Sequence, residues 1–430
     1  MHAVTSTNSI SIPIGQPVSR RLGNTVKAQY SWVIVFVTFI LSGLCFGGVG
    51  LVAGLLKPIA GELGLPRGDI SMAYTVATVA TAFAGVAFGR VADLYGVRVL
   101  VVLGSITIAL SLMAVSQISA QWHLYAAYAM FGALGFGAIA IPMTATVTNW
   151  FTERRGIALG IATAGGAIGQ GVIPYIATTI AVHVGWRDAY LIIGVAYLVI
   201  GLPLALLVRN PPKSEKPAVP ASTPAGRQQS AAIGAREAVA WICTAVIFCC
   251  MCMAVPIMHV VALANDSGLS TEQSVRILAI VMLSGAAGRV IVGRFADRIG
   301  PLNTYILAAV GQTMTVFWFT QITEPIGLYV LGVVFGITFG GIMTSFLLTI
   351  RGLVPARIAA TSISIVLLFG WAGMGFGAYM GGVLFDWTGS YATSFGVAAI
   401  SGTINITILL LLAVRLRRLR PMPVGTLVRA

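Results

Sequence analysis

The stretch Gly89-Arg-Val-Ala-Asp93-Leu-Tyr-Gly96 closes one apolar run, and Gly293-Arg-Phe-Ala-Asp297-Arg-Ile-Gly300 closes another 204 residues later. Five of the eight positions are identical. Internal repeats of this kind mark chains built from two related halves. Working outward, each copy follows the second of six apolar segments. The twelve segments cover about 32–56, 70–89, 99–118, 122–147, 156–182, 189–208, 238–264, 274–293, 302–322, 325–350, 358–385 and 391–414. A helix needs roughly 20 mostly apolar residues to cross a bilayer. The other way to satisfy the backbone in lipid is a closed barrel, whose strands of about ten residues would alternate in polarity. No such alternation is present. The sequence therefore predicts an all-α membrane protein, with twelve transmembrane helices in two pseudo-symmetric six-helix bundles.

Residues 209–237 divide the halves. They hold Pro211, Pro212, Pro217, Pro220 and Pro224 and no aromatic residue. Such a stretch buries no core and reads as a linker. The organisation expected is a tail at 1–31, a bundle at 32–208, a linker at 209–237, a second bundle at 238–414 and a tail at 415–430. The first apolar run is too long for a signal-peptide core and reads as an uncleaved first helix. Small residues recur at helical spacing in span five (Gly156, Gly160, Gly165, Gly169) and span eleven (Gly373, Gly377, Gly381). Such ridges let helix backbones approach closely.

Composition excludes a soluble enzyme. Charged residues are 9% of the chain, against about 25% in soluble domains. The net charge of +14 is a matter of distribution. With the N-terminus in the cytoplasm, the inner segments hold 21 of the 26 lysines and arginines and five of the 12 acidic residues. The outer loops hold only Lys57, Arg67, Arg187 and Arg276 as basic residues, with seven acids. This is the positive-inside pattern. It places both termini in the cytoplasm, the chain in the plasma (inner) membrane, and leaves no reason to invoke nucleic acid. The five cysteines all lie in apolar runs, so no disulfide framework is expected. The Cys249–Met253 cluster fills apolar space better than it holds a metal. No nucleophile, nucleotide-loop or metalloprotease motif is present. No cofactor, metal or catalytic residue is expected, and the chain is read as a monomer.

The loop Gly89-x-x-x-Asp93-x-x-Gly96-x-Arg98 resembles the signature of the major facilitator superfamily, and its second copy carries the same resemblance. Tyr30-Ser-Trp32, Leu56–Ile70, Asn149–Gly160, Gly185-Trp-Arg187, His259, Asn265-Asp266-Ser-Gly268 and Gly288-Arg289 are similar to stretches of the monocarboxylate transporters and oxalate/formate exchangers. The resemblance spans about residues 30–415. It implies alternating access, with the signature-loop residues Gly89, Asp93, Gly96, Arg98, Asp297 and Arg298 acting in gating. Three positions depart from those families. Gly50 stands where animal monocarboxylate carriers have a lysine, Gly285 where they have an aspartate, and Ala372 about where the oxalate exchanger has a lysine.

Arg289 is the basic residue inside a span, and no span interior holds an acid to neutralise it. Burying it costs at least about 2.5–3.5 kcal/mol on insertion scales. A guanidinium matches a carboxylate through paired hydrogen bonds, so a small organic anion is the expected partner; snorkelling to the interface is the alternative. His259, behind Pro256, could hydrogen-bond a carboxylate or carry a proton. Tyr74, Gln170 and Trp371 are the other candidates for a substrate-binding wall. The function expected is secondary transport of a monocarboxylate, with a proton as candidate co-substrate. The alternatives are an efflux carrier for hydrophobic or cationic compounds and a membrane solute sensor.

Overall fold

The computed structural model describes residues 18–151, 155–210, 233–355 and 358–419. Twelve helices follow one another: α1 (Val18–Leu63), α2 (Arg67–Tyr95), α3 (Val97–Ser116), α4 (Gln121–Trp150), α5 (Arg155–Val184) and α6 (Trp186–Leu206), then α7 (Ala235–Asp266), α8 (Thr271–Ile299), α9 (Pro301–Trp318), α10 (Pro325–Leu353), α11 (Ala359–Thr388) and α12 (Tyr391–Arg418). Among the described residues, ten of these are long and apolar enough to cross a membrane. The other two are α2, whose residues 70–87 are mostly apolar and carry no charge, and α9, whose apolarity is diluted by Asn303, Gln312 and three threonines. Both still pack as full members of their bundles.

The pairings repeat with a step of six helices. In the first half α1 packs on α5, α2 on α4 and α3 on α6; in the second α7 packs on α11, α8 on α10 and α9 on α12. The halves meet along α2 with α11 and α5 with α8, again related by the same step. The duplication is written into the backbone as well. Among the described residues the six glycines with positive φ form three pairs, Gly64 with Gly268, Gly96 with Gly300 and Gly185 with Gly389, each 204 residues apart. At the signature turns the match is close: φ 85°, ψ 151° at Gly96 and φ 87°, ψ 152° at Gly300. That region is essentially closed to residues with a Cβ, which explains why glycine ends both copies of the motif.

The glycine ridges do what their spacing implies. A Cβ on Gly165 or Gly169 would overlap the α1 backbone at Phe39 or Gly43. A Cβ on Gly373 would meet the Ile247 carbonyl at 2.6 Å, and one on Gly377 would meet Met251 at 2.7 Å. Gly160 has open space beside it, and the surroundings of Gly156 lie outside the description. α1 starts at Val18, ahead of the expected first span at about 32–56, which lies within its apolar part Tyr30–Leu63. α4 contains a π-helical turn at Phe131–Phe136, where Gly132 presses on Ala77 of α2. Most of the expected linker, 211–232, lies outside the described residues.

Candidate functional site

Among the described residues side chains join the halves at several points, and two of these places hold the candidate residues. The first lies inside the membrane-spanning region. Arg289 sits ten residues before the end of α8, about 15 Å along the helix axis. Its Nη1 donates to the Thr163 carbonyl of α5 at 3.4 Å. Its Nε is buried with no hydrogen-bond partner. A guanidinium offers five N–H donors in a planar fork, and here one long bond is in use. Among the described residues no carboxylate pairs with it. On α5, two turns beyond Thr163, Gln170 is 5% exposed and makes no side-chain hydrogen bond among the described residues.

Trp371 of α11 faces the first half. Its ring lies 6.0 Å from Phe46 of α1 and 5.9 Å from Phe136 of α4, which are 4.9 Å from each other. Phe136 ends the π-helical turn, a device that re-aims side chains and recurs at functional sites. Tyr74 is buried on α2 beside Thr75, whose hydroxyl donates to the Gly375 carbonyl of α11 at 2.6 Å. Arg289, Gln170, Tyr74 and Trp371 thus all stand on the four helices that form the junction between halves. The positions that depart from the monocarboxylate pattern are packed shut. A Cβ on Gly50 would lie 2.9 Å from Pro174, and one on Gly285 would lie 3.1 Å from Phe339.

The second place closes one end of the molecule. Arg67, at the start of α2, grips Asp266 at the end of α7 with both terminal nitrogens, at 2.5 and 3.1 Å. Lys57 adds a bond to the same carboxylate at 2.8 Å. These are the two ion pairs that join the halves among the described residues. Asp386 of α11 accepts from the backbone amides of Arg67 at 2.9 Å and Gly68 at 2.7 Å. The first amides of a helix have no partner within it, and α2 has no cap of its own; the opposite half supplies one. The Arg67 guanidinium also lies over the Phe385 ring, 3.9 Å from its centroid, and donates to the Tyr391 hydroxyl at 3.0 Å.

His259 belongs to this closed end. Its Nε2 donates to the Ala378 carbonyl at 2.8 Å, which leaves Nδ1 as the acceptor for the Tyr391 hydroxyl at 3.3 Å. It is fully buried with both ring nitrogens engaged, on the closed end rather than beside Arg289. The expected gating residues lie at the opposite end. Arg98, Asp297 and Arg298 are exposed, and no ion pair engages them among the described residues. The backbones of Gly89 and Asp93 lie in the last two turns of α2, which ends at Tyr95, while the Asp93 side chain lies outside the description. Gly96 packs against Asn210, whose Oδ1 accepts from the Val97 amide at 2.9 Å.

Residues 35–378 match the family model described as Major Facilitator Superfamily. The chain belongs to the major facilitator superfamily. It is a multi-pass membrane protein and a secondary transporter, not an enzyme. Solved structures of the superfamily carry the same fold. A bacterial homolog of the human lysosomal transporter Spinster, inward-facing and unoccupied, superposes with a TM-score of 0.74 at 16% identity, covering 92% of this chain and 99% of that one. A D-xylose–proton symporter gives 0.69 at 14% identity, over 91% and 98%. Among sequence relatives, an MFS-type transporter of Aspergillus fumigatus is 24% identical over 82% of each chain. Monocarboxylate transporter 13 of Bos taurus is 23% identical over 86% of each. An aspyridones efflux protein of Emericella nidulans is 25% identical over 68% of this chain and 56% of its own length.

In the sequence Lys57, Arg67 and Asp266 stand out only as loop charges within family-like stretches, and Phe46, Phe136, Asp386 and Tyr391 do not stand out at all. A usable signal was present. Lys57 and Arg67 follow span one, and Asp266 follows span seven, the equivalent segment of the second half, with opposite charge.

Proposed function

We propose that this transporter carries a small organic anion, a monocarboxylate, by alternating access between the two halves. The observation that supports this reading is the Arg289 guanidinium: within the membrane span, at the seam of α5 and α8, with Nε buried and unpartnered. A carboxylate placed there accepts two parallel hydrogen bonds and offsets the desolvation of both groups. One intramembrane cation suits one carboxylate. Gln170, Tyr74 and Trp371 complete the wall from α5, α2 and α11. The Arg67–Asp266–Asp386 cluster serves as the gate of one end, and the signature loops serve the other. The charge count puts the Arg67 end outside and both termini in the cytoplasm of a plasma (inner) membrane. With no acid in the span interiors, a coupled proton travels on the substrate, on water or on His259, one per anion.

The test is competition for uptake in proteoliposomes. Pyruvate or lactate is expected to compete better than oxalate when both are ionised; stronger competition by oxalate would defeat the monocarboxylate reading. Efflux of hydrophobic metabolites is the second reading, supported by the similarity to the aspyridones efflux protein and by the aromatic cluster around Trp371. A hydrophobic cation expelled without regard to Arg289 would favour it.

A further inference from the structure

We propose that the transported anion carries a flat, aromatic body, held against Trp371 and Phe46 while its carboxylate meets Arg289. The inference rests on Arg289 being the anion site and extends it to the rest of the substrate.

Three observations bring the aromatic rings to the guanidinium. The Thr163 carbonyl that accepts from Arg289 points along α5 toward the next turn, as every helical carbonyl does. That next turn contains Gly166, and a Cβ there would lie 2.7 Å from the Phe46 ring. The cation and the ring therefore both approach α5 within residues 163–166, about 4.5 Å apart along its axis. Phe46 then leads to Trp371, tilted 33° at 6.0 Å, and Phe136 stands edge-on to both at 69° and 82°.

The triad is not sealed core. Phe136 is buried, but Phe46 and Trp371 keep partial exposure at the junction of halves. Phe46 and Phe136 belong to the first half and Trp371 to the second, so the contact between them must change whenever the halves rock. A flat ring seated among them would replace one aromatic contact by two. Aromatic groups prefer offset or edge-on partners of this kind over aliphatic ones of equal area. A two- or three-carbon acid such as pyruvate would reach Arg289 and leave the rings unserved.

The experiment compares phenylacetate with cyclohexylacetate, which share charge, carboxylate spacing and carbon count, with pyruvate as the small reference. Competition for uptake is measured in proteoliposomes with the intact chain. The wild type is expected to favour phenylacetate over cyclohexylacetate by about 3- to 10-fold, and both over pyruvate. In Trp371→Leu that ratio should fall toward one, while all three acids remain sensitive to Arg289→Gln. Phe46→Leu gives the same readout should the Trp371 variant not insert. Equal competition by the two ring acids in the wild type, or better competition by pyruvate, overturns the aromatic inference and leaves the anion site standing. If Arg289→Gln moves all three acids as the wild type does, the anion reading itself fails.

Discussion

Replacing Arg67 with Gln should open the end of the transporter that this residue closes. Its side chain is 16% exposed and that of its partner Asp266 is 29% exposed, so the pair lies between the surface and the buried regimes. Exposed pairs are worth about 0.2–1 kcal/mol, and breaking buried ones costs about 3–5 kcal/mol. A forked pair at this depth is placed at about 2 kcal/mol between those limits. The guanidinium stacked at 3.9 Å over Phe385 adds about 1 kcal/mol. The sum, about 3 kcal/mol, is a shift of about 100-fold in the balance of closed and open forms. A tenfold excess of closed molecules would become about a tenfold excess of open ones. Lysine at 67 keeps the charge but loses the fork and much of the stacking, so it should fall between the two. The assay is the distance between spin labels at Ser119→Cys and Ser390→Cys, exposed turns of opposite halves, in a background lacking the five buried native cysteines. An unchanged distance distribution in Arg67→Gln would show that the ionic cluster does not hold this end shut.

Other outcomes follow from the same geometry. Asp386→Ala removes the cap that α2 borrows from α11 and should shift the same distance in the same direction, by the roughly 1 kcal/mol typical of an N-cap; no shift would make Asp386 a bystander. Tyr391→Phe leaves His259 Nδ1 buried without its donor, which costs about 1–3 kcal/mol, and should lower the melting temperature unless a water replaces the hydroxyl. Gly50→Lys forces a side chain into Pro174 and should lose about 1–3 kcal/mol of stability or more without creating proton coupling; a stable, newly proton-coupled variant would refute the packing argument. Gly96→Ala and Gly300→Ala both suffer backbone strain of about 1–3 kcal/mol. Only the Cβ of the first meets a neighbour, Asn210 at 2.7 Å, so thermal unfolding should rank it as the more damaged.

The fold was legible because lipid allows few solutions. Apolar length, the positive-inside count and the 204-residue echo led to twelve helices in two halves, and the paired positive-φ glycines repeat that echo in the backbone. Gly165, Gly169, Gly373 and Gly377 were readable as contact points because four-residue spacing fixes a helix face. The candidate site was legible where a single residue broke the rule of its surroundings, as Arg289 does. It was not readable where function needs two distant loops at once. Arg67 and Asp266 are 199 positions apart and look, one at a time, like ordinary loop charges. Asp386 looked the same, since the amides it caps belong to another half. His259 carried a chemical signal, a buried titratable ring, but not its direction: the side chain turns to Ala378 and Tyr391 at the closed end. The aromatic triad was hidden because Phe46 and Phe136 are common residues in apolar spans, and a π-helical turn shifts the face on which Phe136 emerges.

The central claim is that Arg289 holds the anion, and it is tested most directly by carboxylate uptake into proteoliposomes by the wild type, Arg289→Lys and Arg289→Gln at matched abundance in the membrane. Lysine keeps the charge but not the planar fork, so it should leave weakened transport. Glutamine should nearly abolish it, with the protein folded and inserted and with substrate no longer raising its melting temperature. Equal transport by Arg and Lys would indicate a side chain that only snorkels, and full activity of the Gln variant would contradict the account.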